Sequence, residues 1–121
     1  MTVCLMVGAA ALHLAGAAFD LSWTHSVERT VWRESWRVEG RALRLTGAAV
    51  KGSGAGMDPG EGARLVHDWW VWTPTLPPVP ELILAASGAT VGGWSICPAG
   101  GACTVIGAGA GAPIRIAPCA P

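Results

Sequence analysis

The chain has 121 residues, enough for one domain with a sizeable core, and is 51% hydrophobic but only 13% charged. Its eight basic and eight acidic residues balance. This argues against a nucleic-acid binder, which carries a basic patch or stripe, and no Lys/Arg cluster is present to read an anionic membrane surface.

Residues 1–19 carry no charged side chain and admit three readings. One is a secreted leader with a small-residue cleavage region at 15–18, although it lacks the basic start such leaders carry. Another is a short membrane span, diluted by Ala and Gly and without flanking cations. The third is a β-strand over residues 2–7 (TVCLMV), ending at Gly8, with a second short apolar piece at 11–14.

The most informative stretch follows, residues 19–38 (FDLSWTHSVERTVWRESWRV). Folded as a hairpin about Arg29 and Thr30, it sets Val27 opposite Trp32, His25 opposite Glu34, Trp23 opposite Trp36 and Leu21 opposite Val38. Side chains alternate across a strand, so these eight share one face. That face is apolar except for one His–Glu pair. Helix over 31–38 is the competing reading, since Trp32 and Trp36 are four apart, but the β-branched residues and the match to the preceding strand favour strand.

Further strands are expected at 41–51, 63–73, 81–86, 93–97, 102–106 and 113–117, separated by Gly-rich turns at 87–93 and 107–112. The 63–73 stretch (ARLVHDWWVWT) is partly apolar on both faces, as in a strand between two layers. The PTLPPVP tract at 74–80 has four prolines that cannot donate to a ladder, so it is an extended surface connection. Short strands, frequent Gly/Pro turns and no amphipathic helix indicate an all-β fold. The expected form is one antiparallel sandwich or partly open barrel over residues 1–121, with the core in 2–106 and a Gly/Ala loop and last strand in 107–121. The seven Trp supply the bulk that Ala and 17 Gly do not.

Four cysteines are present and none lies in a C-x-x-C pair, which disfavours zinc-ribbon and thioredoxin readings. Cys97 and Cys103 flank a five-residue Pro/Gly loop and can staple a hairpin, while Cys4 and Cys119 can tie the first and last strands. Both bonds call for an oxidising compartment such as the cell envelope or periplasm. Buried free thiols are the alternative.

Several stretches invite a chemical reading. GSGAGM at 52–57 has its Lys before the glycines and no helix after it, so it is neither a Walker loop nor a dinucleotide fingerprint. A close-approach loop or an anion-holding nest fits it better. His25 and Glu34 are suited to a base and its orienting partner, or to two metal ligands with His67 or Asp68 as the third. They also suit a buried pair that only satisfies itself. Ser26, on the opposite face from His25, does not suggest a triad. The DWWVW run at 68–72 could stack sugars or bases, but core filling accounts for it. No cofactor motif is present.

With HSVE at 25–28, Glu34 and GSGAGM at 52–57 in that order, the chain resembles a bacterial family catalogued as domain of unknown function 1850. The resemblance spans most of residues 2–106. It carries the site over to His25, Ser26, Val27, Glu28, Glu34, Gly54, Ala55, Gly56 and Met57. A strand usually precedes the HSVE strand in such proteins, which favours the strand reading of residues 2–7. Met57 and Asp58 stand where many members have a Leu-Pro-like step, and the chain is richer in Trp and Cys. The resemblance implies a small all-β protein often encoded beside TRAP-type solute transporters of the TAXI class. It suggests a non-enzymatic accessory or ligand-binding role, with transporter components as partners or a small organic acid as ligand. The alternatives are a small hydrolase or metal-dependent enzyme using His25 with Glu34 and Glu28, or a purely structural envelope protein.

Overall fold

In the computed structural model, described for residues 1–24, 30–51, 60–86 and 91–121, every regular element is a strand. They run β1 (Thr2–Val7), β2 (Ala10–Leu14), β3 (Ala18–Thr24), β4 (Val31–Glu39), β5 (Ala42–Lys51), β6 (Arg64–Val66), β7 (Trp69–Trp72), β8 (Leu82–Leu84), β9 (Val91–Pro98), β10 (Thr104–Ile106) and β11 (Ile114–Cys119). Two antiparallel sheets result, ordered β2-β1-β11-β8 and β10-β9-β3-β4-β5-β7-β6. The two pack face to face as a sandwich, without closing into a barrel.

Residues 2–7 form a strand, and β1 pairs with β2 on one side and β11 on the other. Alternation sends Val3 and Leu5 inward to meet Ile114 and Ile116 of β11 and, from the larger sheet, Phe19, Leu21, Trp36, Leu43, Leu45 and Ile96. Leu43, Ile96 and Ile116 are fully buried, and each such side chain contributes roughly 1.5–3 kcal/mol through burial. Two disulfides add covalent ties, Cys4–Cys119 between the first and last strands and Cys97–Cys103 across the turn after β9.

The hairpin over β3 and β4 departs from its expected register. Trp23 lies opposite Trp32, Leu21 opposite Glu34 and Phe19 opposite Trp36. The described pairing runs as far as Thr24 and Val31, and each partner is displaced by four residues from the expected register. The shift is even, so each residue keeps its face while changing its partner. Thr30, expected near the turn apex, is buried, and its hydroxyl has no partner among the described residues.

A bulge in β5 sets two residues, Thr46 and Gly47, against Ser35, with the Thr46 hydroxyl donating to the Ser35 carbonyl at 3.0 Å. The extra residue inverts the alternation, so Leu43 and Leu45 before it and Ala48 and Val50 after it face the same side. The expected single strand over 63–73 is instead a hairpin at the sheet's edge. His67 and Asp68, with φ of 48° and 69°, form its two-residue turn. Both central residues left-handed is the geometry that matches the twist of tight hairpins, and the turn replaces the strand between layers that was expected. Val79 both donates to and accepts from Leu43, which holds the proline-rich connection along the edge of β5. Gly92, expected in the turn, and Gly93, expected where turn and strand meet, lie within β9 at positive φ, where the pairing with β3 is irregular. A Cβ on Gly93 would stand 2.6 Å from the Ile106 carbonyl oxygen.

Candidate functional site

The inner face of the seven-stranded sheet is built from alternate residues of each strand. Next to the core rung of Phe19, Trp36 and Leu45 runs a rung of Ile96, Leu21, Glu34, Ala48 and Trp72, one residue from each of five strands. Beyond it lie Trp23, Trp32, Val50 and Trp70. Glu34 is the one ionisable side chain on this face among the described residues. The lysine and arginines on the strands of this sheet, Arg33, Arg37, Arg44, Lys51 and Arg64, alternate to the other face.

Tryptophans surround Glu34. The Trp36 indole N–H donates to its carboxylate at 3.2 Å. Trp23 and Trp32 stack at 6.3 Å between ring centroids, Trp94 leans on Trp23 at 5.2 Å, and Trp72 meets Trp32 edge-on at 6.3 Å. Trp32 and Trp72 are half-buried and stand outside the core cluster. Burial pushes the Glu34 carboxyl above its ordinary range, and the Trp36 hydrogen bond pulls against that shift. Removal from water disfavours the charged form, and the Trp36 donor only partly offsets it. A carboxyl so placed can hold a proton and donate it to a bound acceptor.

Beside Trp72, at the edge of the aromatic rung, lies an open groove of about 600 Å³. Gly60, Glu61, Gly62, Trp72 and residues 73–76 line it. Gly60 packs so tightly on the Trp72 ring that a Cβ would meet it at 2.3 Å. Residues 52–59, which include Gly54, Ala55, Gly56 and Met57, lie outside the described residues, but their C-terminal continuation enters this groove wall.

His25, Ser26 and Glu28 also lie outside the described residues. The expected cross-strand partnership of Glu34 with His25 is replaced at the level of register, since Glu34 lies opposite Leu21 on one side and Ala48 on the other. His67 and Asp68 sit exposed at the β6–β7 turn. Neither joins Glu34 in a group of metal-ligating side chains among the described residues. Of the aromatic run at 68–72, Trp69 to Trp72 are half-buried, and Trp69 points away from Glu34. That ring lies on the outer face under the Arg33 guanidinium at 4.5 Å and the Lys51 ammonium at 5.8 Å.

The partner that sequence reasoning missed was Trp36. Glu34 and Trp36 are two apart on one strand, so alternation alone puts them on the same face. That signal was present but was spent on cross-strand pairing.

A family model described as Domain of unknown function (DUF1850) matches residues 19–105. Comparison with curated proteins and with solved structures gives no significant match.

Proposed function

Since the chain belongs to the family of domain of unknown function 1850, we propose that it is a non-enzymatic accessory protein of a TRAP-type (TAXI) uptake system that binds a small organic acid. The family's association with such transporters supports the partner. The Glu34 carboxyl, bonded to Trp36 on the face that carries Trp23, Trp32 and Trp72 and pushed above its ordinary range by burial, supports the ligand class. A neutral carboxyl donates a hydrogen bond to a ligand carboxylate, and the surrounding indoles bury the ligand's apolar part. A compartment that sustains two disulfides fits a role in the cell envelope.

The reading is tested by tryptophan fluorescence during titration with short-chain monocarboxylates. Affinity should rise as pH falls toward the ordinary carboxyl range, because protonated Glu34 is the donor. Glu34→Ala should weaken binding by roughly tenfold to hundredfold, the usual worth of a hydrogen bond to a charged group. Glu34→Gln, whose amide donates at any pH, should bind without the pH dependence. Unaltered binding in a folded Glu34→Ala protein, or no quenching by any carboxylate, would remove the proposal. For the accessory role, cells carrying the transporter with the His25→Ala variant should lose uptake. Normal uptake with a folded variant would count against it.

A further inference from the structure

On the far side of the smaller sheet, away from Glu34, three potential metal ligands from three adjacent strands meet. β2 places His13 directly opposite Cys4 of β1, and Cys4 is bonded to Cys119 of β11. The ligand atoms of Cys4, His13 and Cys119 all lie within 4.8 Å of one another. Cys4 is buried, Cys119 half-buried and His13 exposed, so the cluster is anchored in the sheet and open to solvent on one side. Val3 and Leu5 point the other way, into the core. The cluster can therefore change its chemistry without touching the core.

We propose that this is a redox-gated site for a thiophilic cation of the Zn²⁺ class. It is closed while the disulfide stands and opened by a dithiol or phosphine reductant. The reductant gives two electrons to the S–S bond and is itself oxidised, to a cyclic disulfide or a phosphine oxide. Each sulfur stays in place as a thiol, the two protons coming from the dithiol or, with a phosphine, from the water that also supplies the oxide's oxygen. On binding, the metal displaces both thiol protons to solvent and takes two thiolates and one imidazole nitrogen. Its fourth position stays with water, on the exposed side. Two sulfurs and one imidazole make a donor set that zinc favours in tetrahedral sites, and thiolates select soft cations over Mg²⁺ or Ca²⁺. The distances support this, because a ring of three ligands is already assembled and only the S–S contact must lengthen. The metal then takes over the disulfide's task of joining β1 to β11, with β2 added through His13. The competing role for His13 is a plain hydrogen bond, its Nε2 lying 3.2 Å from the Ala120 carbonyl oxygen.

The test uses the full chain with Cys97→Ser and Cys103→Ser, so that only one cysteine pair remains. Co²⁺, as a spectroscopic stand-in for Zn²⁺, is titrated before and after phosphine reduction, with circular dichroism following the fold. Reduced protein should take up one Co²⁺ per chain with thiolate charge-transfer absorption and tetrahedral d–d bands, and oxidised protein none. Adding His13→Ala should weaken uptake at least about tenfold, no less than the loss that follows removal of an outer-shell partner. Adding Cys4→Ser should abolish the charge-transfer signal at one equivalent. A folded, reduced protein without cobalt uptake would overturn the proposal, as would uptake indifferent to His13→Ala. If reduction alone unfolds the chain, recovery of the β-sheet spectrum on adding Zn²⁺ supports the site, and failure to recover overturns it.

Discussion

At the scale of single residues, Glu34 carries the clearest pH signature. Its folded-state pKa lies above the ordinary 4.5 because burial disfavours the charge. The folded chain therefore holds this proton more tightly than the unfolded chain. The resulting stabilisation is complete below the ordinary value and is lost as pH rises through the raised one. Glu34→Gln removes the titration while keeping an oxygen to accept from Trp36. The Gln variant should melt above the wild type at neutral pH, and the gap should close as the solution is acidified below the ordinary carboxyl range. A gap that stays constant with pH, measured by thermal melts, would mean that Glu34 ionises freely. In the sequence, Glu34 was legible as a polar residue on an apolar face, because alternation fixes the face. Its partner was not legible, since a carboxylate can be satisfied along its own strand as well as across the sheet, and only coordinates choose between the two.

At the scale of elements, strand existence was largely readable and strand pairing was not. β1 matches its expected bounds because TVCLMV is an apolar run closed by Gly8, and β4 forms because VWRESWRVE alternates up to Gly40. The β3–β4 register was displaced because it rested on the turn, and the sequence of 25–30 contains no Asn-Gly or Asp-Gly to fix loop length. The β6–β7 hairpin was hidden for a related reason. His67 and Asp68 carry the left-handed turn without the usual glycine, so an eleven-residue alternating run looked continuous. Each non-glycine residue held in the left-handed region costs about 1 kcal/mol. Replacing His67-Asp68 with Asn-Gly should therefore stabilise the protein by about 1 kcal/mol in chemical denaturation. Destabilisation would show that the His67 or Asp68 side chain holds the hairpin in some other way.

At the scale of the whole molecule, the sandwich is a small sheet laid over part of a larger one. The smaller sheet covers Phe19, Leu21 and Ile96 and leaves Trp32 and Trp72 outside the core cluster. The fold class was legible in composition, whereas the division into four and seven strands was not. That division depends on β11 returning to β1 across the length of the chain, a contact signalled by the Cys4 and Cys119 pair but by no local pattern. The two disulfides should differ in weight. Cys4–Cys119 closes 115 residues and Cys97–Cys103 only six. Chain entropy then assigns about 5 kcal/mol to the first and about 2 kcal/mol to the second. Paired Cys→Ser variants, compared by thermal melts in the absence of metal, should preserve that order. Equal losses would place the stabilisation in local contacts around each bond.

The Cys4–Cys119 bond also makes residues 4–119 a closed covalent ring. A single cut anywhere on that ring, for example in the exposed glycine-rich loop at 107–112, releases no fragment. The severed ends stay in the sheets that held them, and the chain order can be restarted at the cut. The protein's continuity therefore resides in its cross-link as much as in its backbone, and reduction is the event that turns a hidden nick into a break.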